Sequence, residues 1–184
     1  VSPMLDASFT HWINGFSGSH PLLDVMVATF GSVAVPLMVL YTVLHWWLPA
    51  RDARQRHLAL AAGATFLLGQ AINQIVLLFV HRPRPYLAGV SHLVIPPSAD
   101  WSFPSDHATA ATGIALAFLL HGYLGRGGWL MATALLVCVA RVWVGTHYVG
   151  DVLGGFVTAL VAATFVKAAF RPGTRFDTAL TSLF

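Results

Sequence analysis

Residues 140–151 read ARVWVGTHYVGD, and this stretch joins two apolar runs that are each long enough to form a membrane helix. It nevertheless contains the guanidinium of Arg141, the imidazole of His147 and the carboxylate of Asp151. A charged side chain at the centre of a bilayer costs about 3 kcal/mol on insertion scales. Ionisable groups at this junction therefore indicate a functional site at one face of a membrane.

The composition of the whole chain supports a membrane location. Of its 184 residues, 57% are hydrophobic and only 9% are charged. Soluble domains usually contain about 25% charged residues, so the chain is predicted to be an integral membrane protein. Its single cysteine, Cys138, lies inside an apolar run, which excludes an internal disulfide and a cysteine metal cluster.

The apolar segments predict an all-α integral membrane protein with a single domain over residues 1–184. A helix needs about 20 apolar residues to cross a bilayer. The predicted bundle of about five transmembrane helices has its spans near residues 25–48, 58–80, 107–124, 129–145 and 149–170. The third and fourth spans are short, so the ends that carry His107 and Arg141 are expected to lie below the membrane surface.

The first 21 residues mix large apolar side chains with polar ones and predict an amphipathic helix in the membrane interface.

Cations in the loops predict the orientation of the bundle. The loops on one side, with the C-terminal end, contain seven cations: Arg51, Arg54, Arg56, Arg126, Lys167, Arg171 and Arg175. The positive-inside rule then places the C-terminus in the cytoplasm and the N-terminus outside. The other three cations, Arg82, Arg84 and Arg141, are on the outer side, in the suspected site.

Three polar clusters fall at the outer ends of the predicted spans. They are HRPRPY at 81–86, SFPSDH at 102–107, and the stretch 140–151. Ser105 is a suitable N-cap for the third span, and a helix N-terminus can bind a phosphate group. Arg84 and Arg141 would add forked donors that match phosphate oxygens. The clusters therefore predict a phosphate site in which distant segments converge.

His147 and Asp151 are four residues apart, which places them on one face if the segment is helical. A carboxylate in that position can accept a hydrogen bond from one ring nitrogen and leave the other free to attack. We therefore interpret His147 as a nucleophile toward phosphorus and Asp151 as the group that orients it.

These clusters resemble the three signature motifs of the type-2 phosphatidic acid phosphatase superfamily. The matching residues are RP at 84–85, PSDH at 104–107, and Arg141, His147 and Asp151. Within the superfamily, the chain most resembles bacterial undecaprenyl pyrophosphate phosphatases of the bacitracin-resistance type. The resemblance implies a phosphohistidine on His147 and an acid role for His107, which protonates the leaving oxygen and later helps to activate water. It also implies phosphate binding by Arg84, Ser105 and Arg141, with no metal and no cofactor.

The chain departs from the first family motif, which usually has a Lys seven residues before its Arg. That position is Leu77 here, or Ile75 if counted from Arg82. Either Arg82 supplies the missing cation, or Asn73 and Gln74 support the pocket through neutral hydrogen bonds.

The second departure is Asp106, which stands where the superfamily usually has Gly. A carboxylate beside a phosphate is unfavourable unless it points away or is paired, and Arg82 is a candidate partner. Arg82 and Asp106 are therefore included among the candidate residues of the phosphate site. The bacitracin-resistance type resembles this chain in having the Asp.

The leading hypothesis is that the protein removes the terminal phosphate of undecaprenyl pyrophosphate in the bacterial plasma membrane, with its active site facing the periplasm or exterior. The same chemistry on phosphatidylglycerophosphate, phosphatidate or a lipid A phosphate is the nearest alternative. A non-catalytic lipid-phosphate transporter is an alternative from another class, although binding alone needs no oriented nucleophile. The expected partners are a polyprenyl or phospholipid phosphate and membrane lipids, with no nucleic acid. The oligomeric state is left open.

Overall fold

The computed structural model describes residues 3–47 and 52–182, and all of their regular structure is helical. The helices are α1 (Pro3–Asn14), α2 (Pro21–Leu44), α3 (Ala53–Leu77), α4 (Asp106–Leu120), α5 (Leu124–Trp143), α6 (Val149–Ala169) and α7 (Arg175–Thr181). Four of them, α2, α3, α5 and α6, are long and apolar enough to cross a membrane, and α4 is a shorter apolar helix. The prediction of an all-α multi-pass bundle is confirmed.

The helix ends differ from the predicted spans by a few residues. The first span begins earlier because Pro21 occupies the first turn of α2, a position that suits proline. The fourth begins at Leu124 because the glycine-rich segment 125–128 is helical, and Gly127 packs closely against Leu119. That packing overrides the low helix propensity of glycine. Leu48 and Arg51, used in the sequence interpretation, lie outside the described residues.

Helix α4 occupies the centre of the bundle. It packs against α2, α3, α5 and α6, and every residue from 108 to 118 is buried. Its small side chains let the neighbouring backbones approach closely. At its N-terminal end, a Cβ added to Gly155 of α6 would be 2.7 Å from the carbonyl oxygen of Ser105. The tight packing holds the start of α4 at a defined position against α6.

The two ends of the bundle are covered by short helices. Helix α7 docks on the start of α3, where Asp177 lies 2.8 Å from the Nδ1 atom of buried His57. Helix α1 contacts α5 and α6 at the other end. Its amphipathic pattern has a polar inner face: Asp6, Thr10 and Asn14 are buried, while its large apolar side chains face outward. The outward apolar face suits the predicted position at the membrane interface.

Candidate active site

The three polar clusters converge at the N-terminal end of α4, around a cavity of about 100 Å³. Its lining consists of Leu77, Arg84, Ser98, Asp100, Trp101, Pro104, Asp106, His107, Arg141 and His147. Five of the eight predicted site residues therefore meet in one cavity, although they are separated by up to 63 positions in the chain. The other three, Arg82, Ser105 and Asp151, lie around it.

His147 is buried, and both of its ring nitrogens have partners. Nδ1 lies 2.9 Å from the carbonyl oxygen of Ser102, which can only accept, so Nδ1 bears the proton. Nε2 then has a lone pair and accepts from Arg84 at 3.3 Å. Burial lowers the pKa of His147, and the nearby Arg84 and Arg141 act in the same direction, against the opposing effect of Asp151. The ring is therefore held neutral, with the lone pair of Nε2 at the cavity.

Asp151 is fully buried at the start of α6. Its Oδ2 atom lies 3.7 Å from His147 Nδ1, which is longer than a hydrogen bond. The carboxylate accepts instead from the hydroxyl of Ser102, from the backbone N–H of Tyr148 at 2.8 Å and from Arg82 at 2.7 Å. Asp151 is thus linked to His147 mainly through Ser102, whose backbone carbonyl accepts a hydrogen bond from the imidazole Nδ1–H.

Two guanidinium groups face the cavity. Arg84 is buried and donates to the carbonyl oxygen of Thr146 at 2.9 Å and to the carboxylate of Asp100 at 2.9 Å. The Nε atom of Arg141 is buried and has no hydrogen-bond partner among the described residues. An unpaired buried donor is costly, so a phosphate oxygen at this position would satisfy a group that the protein leaves open.

The start of α4 contributes three candidates with different positions. Ser105 is fully buried and caps the helix by accepting from Ala108 N–H at 3.5 Å. His107 lines the cavity, half-buried, one turn from the cap. Asp106 also lines it, and its carboxylate accepts from Asn73 at 2.7 Å. The partner of Asp106 is therefore Asn73 rather than Arg82.

The position of the family Lys is filled by Leu77, which lines the cavity with an aliphatic side chain. Asn73 supports the pocket through Asp106, whereas Gln74 is exposed. Arg82 lines a separate cavity beside Asp6 and Gly150. Its guanidinium also lies 3.7 Å from the centre of the Tyr148 ring. Leu77 therefore lines the cavity on the side where the family has its cation, and Asn73 supports that side through Asp106.

A tight turn aims His147 at the cavity. Gly145 has φ +82°, and a Cβ at this residue would overlap the carbonyl oxygen of His92. The long loop between α3 and α4 packs on this turn, since Ser91 donates its hydroxyl proton to the Gly145 carbonyl and Val94 N–H donates to Val144. Only glycine satisfies both the positive φ and the close approach.

Two residues of the site were not singled out from the sequence. Ser102 contacts both His147 and Asp151, and Asp100 pairs with Arg84. Both lie in the segment just before α4, where a loop offers no helical or strand period to reveal which side chains point inward. The one available signal is their position: Ser102 is the first residue of the predicted cluster 102–107, and Asp100 precedes it by two residues.

Comparison with known proteins assigns the chain to a family. Residues 58–175 match the family model of the PAP2 superfamily, a range that includes all eight predicted site residues. The chain belongs to the PAP2 superfamily. As a PAP2 protein with these membrane helices, it is a multi-pass membrane lipid phosphatase. The family assignment favours an enzyme over a non-catalytic lipid-phosphate transporter.

Individual PAP2 relatives cover most of the chain. Undecaprenyl-diphosphatase BcrC of Bacillus subtilis is 38% identical over 81% of this chain and 76% of its own. The putative undecaprenyl-diphosphatase YbjG of Escherichia coli is 31% identical over 85% of this chain and 78% of its own. The crystal structure of a PAP2-type phosphatidylglycerolphosphate phosphatase from Bacillus subtilis shares the fold. Its TM-score is 0.67 at 22% identity, and the likeness covers 94% of this chain and 88% of that one.

The donor groups of the site decide whether it suits a metal ion or an anion. Among the described residues, no group of three or more His, Cys, Asp or Glu side chains could hold a metal ion. The groups that face the cavity centre are cationic or neutral, apart from Asp100 and Asp106, and each of these carboxylates already has a partner. This donor set suits an anion.

Proposed function

We propose that the protein hydrolyses undecaprenyl diphosphate to undecaprenyl phosphate and inorganic phosphate, through a phosphohistidine on His147. One observation carries the proposal. The neutral Nε2 of His147 lies at the same cavity as two guanidinium groups, and one of them has an unpartnered buried donor. A nucleophile beside fixed positive charge is the arrangement that phosphoryl transfer needs.

In the first step, His147 Nε2 attacks the terminal phosphorus. The bond from that phosphorus to the bridging oxygen breaks as the N–P bond forms, and the electron pair leaves on the lipid phosphate. Arg84 and Arg141 neutralise the charge that spreads over the non-bridging oxygens. His107 gives a proton to the departing oxygen when one is required.

In the second step, water attacks the phosphohistidine. His107 accepts a proton from that water while the P–N bond breaks and its electron pair returns to Nε2. Inorganic phosphate is released, and His147 is neutral again with its Nδ1 proton still directed at Ser102. The ring stays oriented through both steps because its Nδ1–H partner is a backbone carbonyl that does not titrate.

The choice of undecaprenyl diphosphate is supported by two relatives that carry this activity in their names, one at 38% identity. A phospholipid phosphate such as phosphatidylglycerophosphate is the second candidate, favoured by the shared fold of the Bacillus subtilis phosphatidylglycerolphosphate phosphatase. Both substrates offer a terminal phosphate and an apolar tail.

We further propose that the active site faces the outside of a bacterial plasma membrane. Among described residues, the cations beyond the site cluster at the end of the bundle opposite to it: Arg54, Arg56, Arg126, Lys167, Arg171 and Arg175. The positive-inside rule assigns that end to the cytoplasm.

The test is phosphate release by purified protein from undecaprenyl diphosphate, phosphatidylglycerophosphate and phosphatidate, with EDTA present. We expect the first substrate to have the highest kcat/KM, and His147→Ala to reduce it by about 10³-fold or more. His20→Ala is the matched control, because His20 is exposed and its side chain does not cap α2.

Substrate labelled at its terminal phosphate should leave an acid-labile, base-stable label on the wild type. Loss of activity with EDTA, or an active His147→Ala protein, would overturn the mechanism.

A further inference from the structure

The inner face of α1 carries three polar side chains at intervals of four residues. Asp6, Thr10 and Asn14 are all buried, although the helix lies outside the bundle. Burying polar groups is costly unless they are hydrogen-bonded, so their partners show what the helix holds in place.

These partners belong to both ends of the turn that carries His147. Asp6 accepts from Gly150 N–H at 2.7 Å, and Thr10 accepts from Val149 N–H at 3.1 Å. At the other end, Asn14 donates to the carbonyl oxygen of Trp143 at 2.7 Å. Helix α1 therefore clamps the segment from 143 to 150, and it reaches the free N–H groups at the start of α6.

Asp6 also makes an ion pair that does not hold the segment from 143 to 150 in place. Its Oδ2 atom lies 2.6 Å from Nη2 of Arg82, and Nη1 of the same guanidinium lies 2.7 Å from Oδ1 of Asp151. The other oxygen of Asp151 faces His147 Nδ1 at 3.7 Å. A continuous chain of charges thus runs from α1 to the imidazole.

We propose that Asp6 is a positioning residue for His147, acting through Arg82 and Asp151. By sharing the guanidinium of Arg82, Asp6 leaves Asp151 with part of its negative charge directed at the imidazole. The inference rests on the proposed role of His147 as nucleophile. In that role the ring becomes cationic when Nε2 bonds to phosphorus, and Asp151 is the one anion in contact with its Nδ1 side among the described residues.

The remaining groups around His147 do not stabilise a positive charge on its ring, whereas Asp151 does. Arg84, Arg141 and His107 are the other charged or titratable groups that face it, and none of them supplies negative charge. Asp100 neutralises part of Arg84 from the loop side. Without Asp6, Arg82 would pair with Asp151 alone, and the surroundings of the imidazole would become more positive.

The experiment compares Asp6→Asn with Thr10→Val in the pH dependence of kcat/KM for undecaprenyl diphosphate. Asn keeps an acceptor for Gly150 N–H but removes the charge, whereas Val removes an uncharged contact from the same face of α1. We expect Asp6→Asn to lower the plateau and to move the acidic limb to lower pH, because a more positive surrounding disfavours the protonated ring. Thr10→Val should lower the plateau or the melting temperature and leave the limb in place.

Arg82→Gln supplies the opposite change and should move the limb to higher pH. The double variant Asp6→Asn/Arg82→Gln restores the net charge, and its limb should return toward the wild-type position. If Asp6→Asn folds poorly, the same test is made by comparing the pH of the acidic limb in Arg82→Gln with that in the double variant. Limbs that coincide in every variant would reduce Asp6 to a structural contact. That outcome is separate from failure of the proposed function, which an active His147→Ala protein would reveal.

Discussion

At the level of single residues, the proposed nucleophile His147 already has the tautomer that attack requires when no substrate is bound. Its Nδ1–H donates a hydrogen bond to the carbonyl of Ser102, and the lone pair of Nε2 faces Arg84. Arg84 can also donate to a phosphate oxygen. Burial and two arginines disfavour the imidazolium form. The reactive tautomer therefore needs no proton transfer within the protein before the first step.

This environment predicts the acidic limb of the pH profile. Protonation of Nε2 removes the attacking lone pair, and an ordinary histidine is half-protonated near pH 6.5. Because the pKa of His147 is lowered, the neutral form persists below that pH. The kcat/KM profile, which reports the free enzyme, should retain more than half of its plateau value at pH 6.5. A midpoint above pH 6.5 would contradict this account.

His107 should matter unequally for different substrates. General acid catalysis typically contributes about 10²–10⁴-fold, and an alkoxide needs a proton to leave more than a lipid phosphate does. We expect His107→Ala to lose about 10²-fold or more on phosphatidate and clearly less on undecaprenyl diphosphate. Each substrate serves as the control for the other, since the same protein is measured on both. Equal losses would argue against an acid role tied to the leaving group.

The sequence indicated most of these residues because their types are rare in membrane segments and their spacing matched a family. It could not indicate which of them touch. The direct bond expected between Asp151 and His147 is instead a contact routed through Ser102, since a loop of irregular backbone decides where each oxygen lies. The pairing of Asp106 with Asn73 depends likewise on how α3 and α4 pack.

At the level of elements, the turn at Gly145 determines where the proposed nucleophile, His147, points. Gly145→Ala would combine strain at positive φ, about 1–3 kcal/mol, with a Cβ that clashes with His92. We expect a lower melting temperature and a fall in kcat of about 10-fold or more, because a shift of 1 Å at reacting groups can cost 10²-fold.

Gly128→Ala is the matched control for this prediction. Gly128 is an exposed residue in the first turns of α5, and a Cβ there would meet no atom within 4 Å. Its melting temperature and kcat should stay close to the wild-type values. Equal effects of the two substitutions would show that the Gly145 turn has no special role.

The helices themselves were predictable from apolar length, but the faces of α1 were not. The large apolar residues near the N-terminus indicated an interfacial helix, and the spacing of Asp6, Thr10 and Asn14 was visible in the sequence. Their inward direction depends on partners in α5 and α6 that are more than 125 residues away, and on Arg82, which is 76 residues from Asp6. Long-range partners of this kind have no local signature.

For the whole molecule, the proposed orientation can be tested by cysteine labelling. His92→Cys lies in the loop at the active-site end, and Arg126→Cys lies at the opposite end of the bundle; both positions are exposed. The native Cys138 is buried and should contribute little background. A membrane-impermeant maleimide added to intact cells should label residue 92 and spare residue 126. The reverse pattern would invert the molecule and place the site in the cytoplasm.

The short central helix has a consequence for the membrane around the enzyme. Helix α4 has 15 residues and spans about 22 Å at 1.5 Å per residue, whereas the hydrocarbon layer is about 30 Å thick. The phosphate donors at its start would thus lie roughly 4 Å beneath the level of the hydrocarbon boundary if α4 is centred. The phosphate group of a lipid substrate must then enter slightly below this boundary, and a thinner bilayer reduces the depth that it has to reach. Turnover should therefore vary with the acyl chain length of the host lipid, even though no acyl chain takes part in the reaction.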